Sequence, residues 1–175
     1  MEPLPPGVEV LRAPAGQEPV LANLLELYCH DFSEFFDLRL QPNGRFEYPG
    51  LSRYWQDENR FPFLVKVDGH PAGFAFVVKG SFIRDDPTVW DMAEFFVVRG
   101  CRKRGIGAAV AREVWRRFPG PWEVRVLERN LPALAFWGAV VGAFTGSQAE
   151  GTLVVRGERR WRMFSFVSPA MDGVE

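Results

Sequence analysis

The chain has few of the residues that build metal sites and disulfide frameworks. It contains two cysteines and two histidines, and Cys29 and Cys101 lie far apart without a Cys-x-x-Cys pair. This usage argues against a zinc site and against a disulfide scaffold. We therefore expect a protein that needs no metal.

An excess of charge of one sign is also missing. The 21 basic and 22 acidic side chains give a formal net charge of -1. This balance argues against a general nucleic-acid binder, because such proteins carry a broad positive surface, although a local basic patch can still hold one anion.

Long apolar runs are absent as well. The longest nearly apolar stretch, residues 131–144, contains Pro132, Gly138 and Gly142 and is too short to span a bilayer. The first seven residues have neither a cationic region nor an apolar one of the kind that secretory signals carry. We expect no membrane segment, no secretory signal and a cytoplasmic location.

The overall composition is that of an ordinary folded protein. Of the 175 residues, 47% are hydrophobic and 25% are charged, and no repeat or long linker divides the chain. We predict a single domain over residues 1–175, with its core at about 8–167. Aromatic residues at 14%, including 16 Phe and 6 Trp, indicate a thick core or a pocket lined by flat side chains.

Hydrophobic periodicity predicts an α/β fold with a mixed sheet. A helical stripe runs from Leu21 to Phe36, and two further helices are predicted at 106–118 and 132–141. The polar tract 41–59 is predicted to be a loop with one short helix. Strands are predicted at 8–13, 63–67, 72–78, 89–98, 122–127, 152–156 and 160–166. Their order favours a central, largely antiparallel sheet flanked by helices, with at least one crossover connection.

A basic turn between the strand at 89–98 and the next helix carries the strongest chemical signal. Gly105 and Gly107 lack Cβ atoms, so backbone N–H groups there can approach a ligand closely. The helix N-terminus adds unpaired N–H donors and a positive dipole end. Such a turn is typical of a pyrophosphate site, although a solvated basic turn is the alternative. Four cations crowd it: Arg99, Arg102, Lys103 and Arg104.

Two common phosphate loops do not fit this turn. A P-loop requires Gly-Lys-Ser/Thr, whereas Gly107 is followed by Ala108 and Ala109. A Rossmann turn requires a third glycine, where this chain has Val110, and it allows no six-residue insertion between strand and first glycine.

Two segments give the chain a family resemblance. Arg102-Lys-Arg-Gly105-Ile-Gly107 fits the pattern Arg/Gln-x-x-Gly-x-Gly/Ala that follows a strand in the GNAT superfamily of acyl-CoA-dependent N-acyltransferases. Asn130, followed by Ala133 and the pair Phe136-Trp137, is similar to a second element of that family. The order of the two segments and the predicted strands agree with the family over residues 8–167.

The resemblance implies a fold, a reaction and a co-substrate. It implies a GNAT-like domain that moves an acetyl group from acetyl-CoA to a primary amine of a small molecule, by direct attack in a ternary complex. It also implies that Phe96, Val97 and Val98 bind the pantetheine arm as a pseudo-strand, with the Val97 N–H facing the thioester oxygen. Asn130 and Phe136 would line the far side of that arm. The residues implied to bind the pyrophosphate, largely through backbone N–H groups, are Arg102, Lys103, Arg104, Gly105, Ile106, Gly107 and Ala108.

Acyl transfer to an amine also requires a base, because an ammonium must lose a proton before it attacks. Glu94 is the candidate, since strand alternation places it between Met92 and Phe96 on an apolar face, where burial raises the pKa of a carboxylate. An ion pair with one of the many arginines is the alternative. The same alternation predicts that Asp91 points to the opposite face, which makes it a weaker choice.

The sequence departs from the family at the usual acid. Many members have a tyrosine seven residues after the asparagine, and this chain has Trp137 there. An indole N–H donates a hydrogen bond but does not release its proton at neutral pH. Tyr28, Tyr48 and Tyr54 match no motif, so the role is not transferred to them.

The acceptor pocket has the weakest sequence signal. Asp31 is read either as a partner for a cationic amine or, preferably, as a helix cap, because Asp31-Phe-Ser-Glu34 has the form of a capping box. Phe32, Phe35 and Phe36 are interpreted as core. Glu26, Glu34 and Asp37 are interpreted as a solvated face.

Several alternatives stay open at this stage. A coenzyme A-binding sensor or regulatory module with little catalysis is one, and an acetyltransferase acting on protein lysines or N-termini is another. The identity of the amine, the acyl chain length and a homodimeric assembly are not fixed by the sequence.

Overall fold

The predicted strands and helices all occur, with shifted ends, in the computed structural model, which describes residues 3–170. It contains seven strands and four α-helices within that range. The strands are β1 (Val8–Arg12), β2 (Arg60–Val67), β3 (His70–Lys79), β4 (Trp90–Val97), β5 (Gly120–Leu127), β6 (Thr152–Arg156) and β7 (Arg159–Ser168). The helices are α1 (Glu18–Phe32), α2 (Arg53–Gln56), α3 (Ile106–Arg117) and α4 (Leu131–Thr145).

All seven strands form one sheet in the order β1-β2-β3-β4-β5-β7-β6. Every neighbouring pair is antiparallel except β4 and β5, which are parallel and are joined through α3. The β2–β3 turn has Asp68 and Gly69 at φ 49° and 78°, the left-handed geometry that an Asp-Gly hairpin favours. The predicted mixed, largely antiparallel sheet is therefore confirmed.

Helices cover both faces of the sheet. On one face, which we call the α1 face, α1 and α2 pack on β2 and β3 through a cluster that includes Leu21, Leu25, Tyr54, Phe74 and Phe76. On the other, the α3 face, α3 and α4 pack over a larger cluster around two fully buried tryptophans, Trp115 and Trp122. The active-site candidates lie where these two layers meet β4.

Two helix ends differ from the sequence expectation. The stripe from Leu21 to Phe36 is helical only to Phe32, after which the chain continues in turns. Helix α4 extends beyond the predicted residue 141 to Thr145, because Gly146 adopts a left-handed φ of 72° and closes it with an N–H bond to the Gly142 carbonyl.

Candidate active site

Strand β4 contains one extra residue, a β-bulge at Ala93. On β3, Val77 pairs with Met92 while the preceding residue, Phe76, pairs with Glu94. Ala93 therefore has no partner, and the side-chain alternation of β4 reverses there. As a result Met92 faces the α3 side, whereas Glu94 shares the α1 face with Phe76.

The bulge also changes the position of Asp91. Asp91 pairs with Val78 and lies on the same face as Glu94, so the prediction that it points to the opposite face is wrong. Its carboxylate accepts hydrogen bonds from Arg125 Nη1, and burial raises its pKa while Arg125 acts in the opposite direction. Arg125 Nη2 donates to the Ala93 carbonyl at 3.3 Å, so this one guanidinium holds both Asp91 and the bulge.

A cleft opens because β4 and β5 separate soon after they begin. They pair only at Trp90 with Trp122 and at Asp91 with Glu123. Beyond that point the edge of β4 that faces β5 borders a cleft of about 680 Å³, a volume suited to a small ligand. The cleft reaches from the end of α1 to the first turns of α3 and α4.

Glu94 lines this cleft with its carboxylate held by two tyrosines. Tyr28 Oη donates to Oε2 at 2.5 Å, and Tyr48 Oη donates to Oε1 at 2.9 Å. Burial raises the pKa of Glu94, while the tyrosine hydrogen bonds and nearby Arg125 lower it by a smaller amount. Burial and the adjacent Glu94 charge raise the pKa of Tyr28 far above its ordinary value, so Tyr28 stays protonated and serves as a donor.

Tyr48 reaches Glu94 because its loop is tied to α1. The side chain of Glu26, on α1, accepts the backbone N–H of Phe46 at 2.7 Å and that of Glu47 at 3.2 Å. Glu26 is thus an anchor for the loop, and its interpretation as part of a solvated face is wrong. Neither tyrosine could be assigned from the sequence, since no motif contains them and each lies far from Glu94 along the chain.

The backbone at the end of β4 is oriented toward the cleft. The Val98 N–H bonds the Ala72 carbonyl of β3 at 2.8 Å. Since successive peptide groups alternate between the two edges of a strand, the N–H and carbonyl of Val97 face away from β3. The Val97 carbonyl accepts a hydrogen bond from Arg102 Nε at 2.7 Å, which joins the strand end to the basic turn.

Helix α3 presents unpaired N–H groups at its first turn. Gly105 is its N-cap in a left-handed conformation, φ 75°, and the Ala109 N–H is bonded to the Gly105 carbonyl. The N–H groups of residues 106–108, which come before Ala109, therefore have no acceptor within the helix. Gly107 also has a packing role, because a Cβ there would lie 3.2 Å from the Phe136 ring.

Most of the site residues predicted from the sequence line the cleft, and three do not. Of these three, Val98 bonds back to β3, Arg104 is exposed, and the side chain of Ile106 is in the core. The side chain of Asn130 caps α4 by accepting the Ala133 N–H at 3.2 Å. Those that line the cleft are Glu94, Phe96, Val97, Arg102, Lys103, Gly105, Gly107, Ala108, Asn130 and Phe136.

Asp31 connects α1 to the basic turn. Its carboxylate oxygens accept hydrogen bonds from Arg99 Nη2 at 2.8 Å and from Arg102 Nη2 at 2.6 Å. Burial alone would raise the pKa of Asp31, but the two guanidiniums outweigh it and the pKa is lowered. The capping-box interpretation is wrong, because Asp31 lies in the last turn of α1 rather than before a helix.

The phenylalanines that follow Asp31 are not core residues. Phe32, Phe35 and Phe36 are all partly exposed, and Phe32 and Phe35 line the cleft. Trp137, at the position where the resemblance leads one to expect a tyrosine, packs edge-on against Phe95 at 5.0 Å between ring centroids.

Membrane-spanning helices and metal-ligand clusters are both absent from residues 3–170. Within that range no helix is both long and apolar enough to cross a membrane. The same residues contain no group of three or more His, Cys, Asp or Glu side chains placed to hold a metal ion.

Comparison with known proteins places this cleft in context. The acetyltransferase (GNAT) family pattern matches residues 21–143, and no curated protein matches the chain. Among solved structures, an acetyltransferase from Thermus thermophilus superposes with a TM-score of 0.64 at 16% identity, covering 92% of this chain and 97% of that one.

Two structures with bound molecules also superpose. An aminoglycoside acetyltransferase in complex with coenzyme A and kanamycin gives a TM-score of 0.68 at 14% identity, covering 91% of this chain and 94% of that one. A spermidine N-acetyltransferase from Vibrio cholerae, in complex with CoA and spermine, gives 0.61 at 9% identity, covering 92% and 95%. At these identities the likeness concerns the fold.

Proposed function

This chain belongs to the GNAT acetyltransferase family, and from that premise we propose that it moves an acetyl group from acetyl-CoA to a primary amine of a small molecule. The reaction is a direct attack in a ternary complex. The observation that carries the proposal is the Glu94 carboxylate, which lies in the cleft beside the free edge of β4. The match to the family over residues 21–143 supports the reaction class.

The cofactor assignment rests on the basic turn and the first turn of α3. The unpaired N–H groups of residues 106–108 and the guanidinium of Arg102 suit a diphosphate, since a helix N-terminus favours anions. The backbone of residues 102–105 completes this cradle, and Arg104 adds positive charge from the exposed side. No step of the reaction requires a metal ion.

The pantetheine arm is proposed to lie along the free edge of β4. Phe96, Val97 and Val98 flank its path on one side, and Asn130 and Phe136 flank it on the other. The Val97 N–H faces the cleft, where it can donate to the oxygen that becomes negative in the tetrahedral intermediate. One such donor, in a site shielded from water, stabilises developing charge more strongly than it does in solvent.

Glu94 is proposed as the base. Burial raises its pKa toward the range useful for accepting a proton from an ammonium, directly or through one water. The neutral amine then attacks the thioester carbonyl and the C–N bond forms. As the intermediate collapses, the C–S bond breaks, and the nitrogen gives up its extra proton to water or to the departing thiolate, which leaves the neutral amide. A thiol with a pKa of about 8.5 leaves tolerably well as a thiolate, so a tyrosine at the position of Trp137 is dispensable.

A second function has one observation in its favour. The tryptophan at position 137 removes the usual proton donor, which suits a coenzyme A-binding sensor with little turnover. Thiol release from acetyl-CoA in the presence of amino acids, polyamines, aminoglycosides, arylalkylamines and short peptides tests both functions. Release with any one amine supports the enzyme, whereas thermal stabilisation by acetyl-CoA without release from any amine supports the sensor.

Substitution of Tyr28 by phenylalanine tests whether Tyr28 lowers the pKa of the proposed base, Glu94. Loss of this hydrogen bond removes an interaction that lowers the Glu94 pKa. Because the base must be deprotonated, the acidic limb of the kcat/KM profile is expected to move to higher pH, with a smaller change on the alkaline plateau. The profile is measured between about pH 5.5 and 9.

The control for Tyr28→Phe is Tyr54→Phe. Tyr54 is buried on α2, where its ring lies 4.4 Å from that of Phe76, so removal of its hydroxyl should shift the limb less. An unmoved limb in Tyr28→Phe, or one that moves to lower pH, contradicts the proposed coupling between Tyr28 and the base.

Substitution of Asp31 by asparagine tests the diphosphate site. The Asp31 carboxylate engages two guanidiniums of the basic turn, so a diphosphate must compete with it. Loss of this charge is expected to tighten acetyl-CoA binding about 3-fold at low salt, with a smaller effect at high salt. Calorimetry measures both affinities.

Acetyl-pantetheine, which lacks the diphosphate, provides the control ligand for Asp31→Asn. Its affinity should be the same in the variant and the parent protein. Equal gains for both ligands, or weaker acetyl-CoA binding in the variant, would contradict competition between Asp31 and the diphosphate.

A further inference from the structure

Five aromatic rings from three parts of the chain form a continuous row. Tyr28, Phe32 and Trp161 line the cleft, Phe36 joins Phe32 to Trp161, and Phe82 lies beyond Trp161. We call Tyr28, Phe32, Phe36, Trp161 and Phe82 the aromatic wall. Tyr28 contacts Phe32 at 4.8 Å between ring centroids, and Phe32 stacks on Phe36 at 5.3 Å. Phe36 and Phe82 each lie 6.2 Å from Trp161. The wall thus joins α1 to β7 and to the loop before β4.

The aromatic wall reaches Glu94 through Tyr28, which donates its hydrogen bond to the Glu94 carboxylate. Phe32 and Trp161 line the same cleft as Glu94. At the far end of the wall, the Phe82 ring lies 4.2 Å from the guanidinium carbon of Arg125, which also lines the cleft. An amine that comes to the base therefore enters a cleft bordered by Tyr28, Phe32 and Trp161.

This compartment has little negative charge to offer beyond Glu94. The other carboxylates that line the cleft are Asp31, which is neutralised by two arginines, and Glu34, which is exposed to solvent. Two buried carboxylates outside the cleft lining are also paired, Asp91 with Arg125 and Glu123 with Arg84. Glu94 is therefore the carboxylate left for the acceptor, and it suits an acceptor with one ammonium group.

Positive charge flanks the part of the aromatic wall nearest Trp161. The guanidinium of Arg156 covers the Phe82 ring at 4.4 Å, and that of Arg159 covers the Phe36 ring at 4.7 Å. These arginines repel an acceptor that has several ammonium groups.

From this arrangement, and resting on the proposed function, we infer that the acceptor is a small primary amine attached to an aromatic ring. The ammonium faces Glu94, and the ring packs against the aromatic wall in edge-on or offset contact. Polyamines and aminoglycosides are expected to be poorer acceptors, because their further ammonium groups meet only Asp31, already paired with two arginines, and Glu34, which is exposed to solvent. The bound substrates of the superposed structures are therefore poor guides for this chain.

A set of amines matched in reactivity tests the inference. With acetyl-CoA, kcat/KM for phenethylamine and tryptamine is expected to exceed that for n-hexylamine by about 10-fold and that for spermidine or kanamycin by about 100-fold. A preference for hexylamine, spermidine or kanamycin overturns the inference, as does equal use of all five. A preference for peptides over free arylamines overturns the small-molecule part.

Two variants of the aromatic wall and one control test whether the wall causes the preference for arylamines. In Phe32→Leu the ratio of phenethylamine to hexylamine kcat/KM is expected to fall at least ~5-fold, because a flat contact surface of the cleft is lost. Phe32 is partly exposed in the last turn of α1, so this change does not endanger the fold, and Trp161→Leu repeats the test from β7. Phe61→Leu is the control, since Phe61 packs against Trp90 and Phe118 away from the cleft. An unchanged ratio in both wall variants overturns the inference.

Calorimetry with acetyl-CoA separates this inference from the proposed function. Binding of acetyl-CoA with no preference for arylamines overturns only the inference. Failure to bind any coenzyme A ester overturns the proposed function itself, and with it the inference that rests on it.

Discussion

Replacement of Glu94 by glutamine is expected to lower kcat/KM for a verified amine by about 10²- to 10³-fold. Glutamine has nearly the same shape and fits between Tyr28 and Tyr48, but its amide cannot accept the proton of the ammonium. The acidic limb of the pH profile, which reports ionisation of Glu94, should disappear in the variant. Steady-state thiol release across the pH range measures both effects.

Two controls show whether the effect of Glu94→Gln is specific to loss of the base. Acetyl-CoA affinity should be unchanged by calorimetry, because the carboxylate faces the amine rather than the proposed diphosphate site. Glu113→Gln, on α3, removes a partly exposed carboxylate that pairs with Arg117, and it should retain the parent activity. A Glu94→Gln enzyme whose kcat/KM stays within about threefold of the parent across pH 6–9 would exclude Glu94 as the base.

Replacement of Gly73 by alanine is expected to lower the free energy of unfolding by about 3 kcal/mol. A Cβ at this position of β3 would lie 2.2 Å from the Phe96 carbonyl oxygen and 3.1 Å from the Val97 Cα. Both atoms are backbone, so no side-chain rotation relieves the clash and β3 must move away from β4. Thermal denaturation should show a decrease in Tm of about 6–12 °C.

The control for Gly73→Ala is Gly16→Ala, in the short turn before α1. A Cβ at Gly16 would meet no atom within 4 Å, so its Tm should stay close to that of the parent. Because Gly73 faces Val97, the folded fraction of Gly73→Ala should also show a higher KM for acetyl-CoA. An unchanged Tm would mean that the β3–β4 pair adapts at no cost, which contradicts the close packing described for this strand end.

Much of the fold could be predicted because its signals are local. The Asp68-Gly69 turn, the stop of α3 before Pro119 and the glycine-rich turn each involve residues close together in sequence. The bulge in β4 could not be predicted in this way. It falls on Ala93, which has no unusual backbone preference, and its cause lies in the registers of β3 and β5 and in the bond from Arg125. Glu94 was still placed with Phe96 correctly, because both residues follow the bulge.

The residues that surround Glu94 could not be predicted from the sequence for a similar reason. Tyr28 and Tyr48 meet Glu94 from 66 and 46 residues away, and neither contact leaves a periodic pattern. Asp31 matched the spacing of a capping box, but that pattern states nothing about whether a helix is starting or ending. Pairing with Arg99 and Arg102 depends on the approach of α1 to a turn about 70 residues later, which only the folded chain reveals.

The anchor that Glu26 provides divides the long connection between α1 and α2 into two unequal parts. Residues 46–48 are fixed to the helix and to the base, whereas residues 38–44 precede the anchor and are mostly exposed. Insertions or deletions in the earlier part should therefore leave the hydrogen bond from Tyr48 to Glu94 intact. This makes residues 38–44 the first choice for attaching a tag or label without loss of activity.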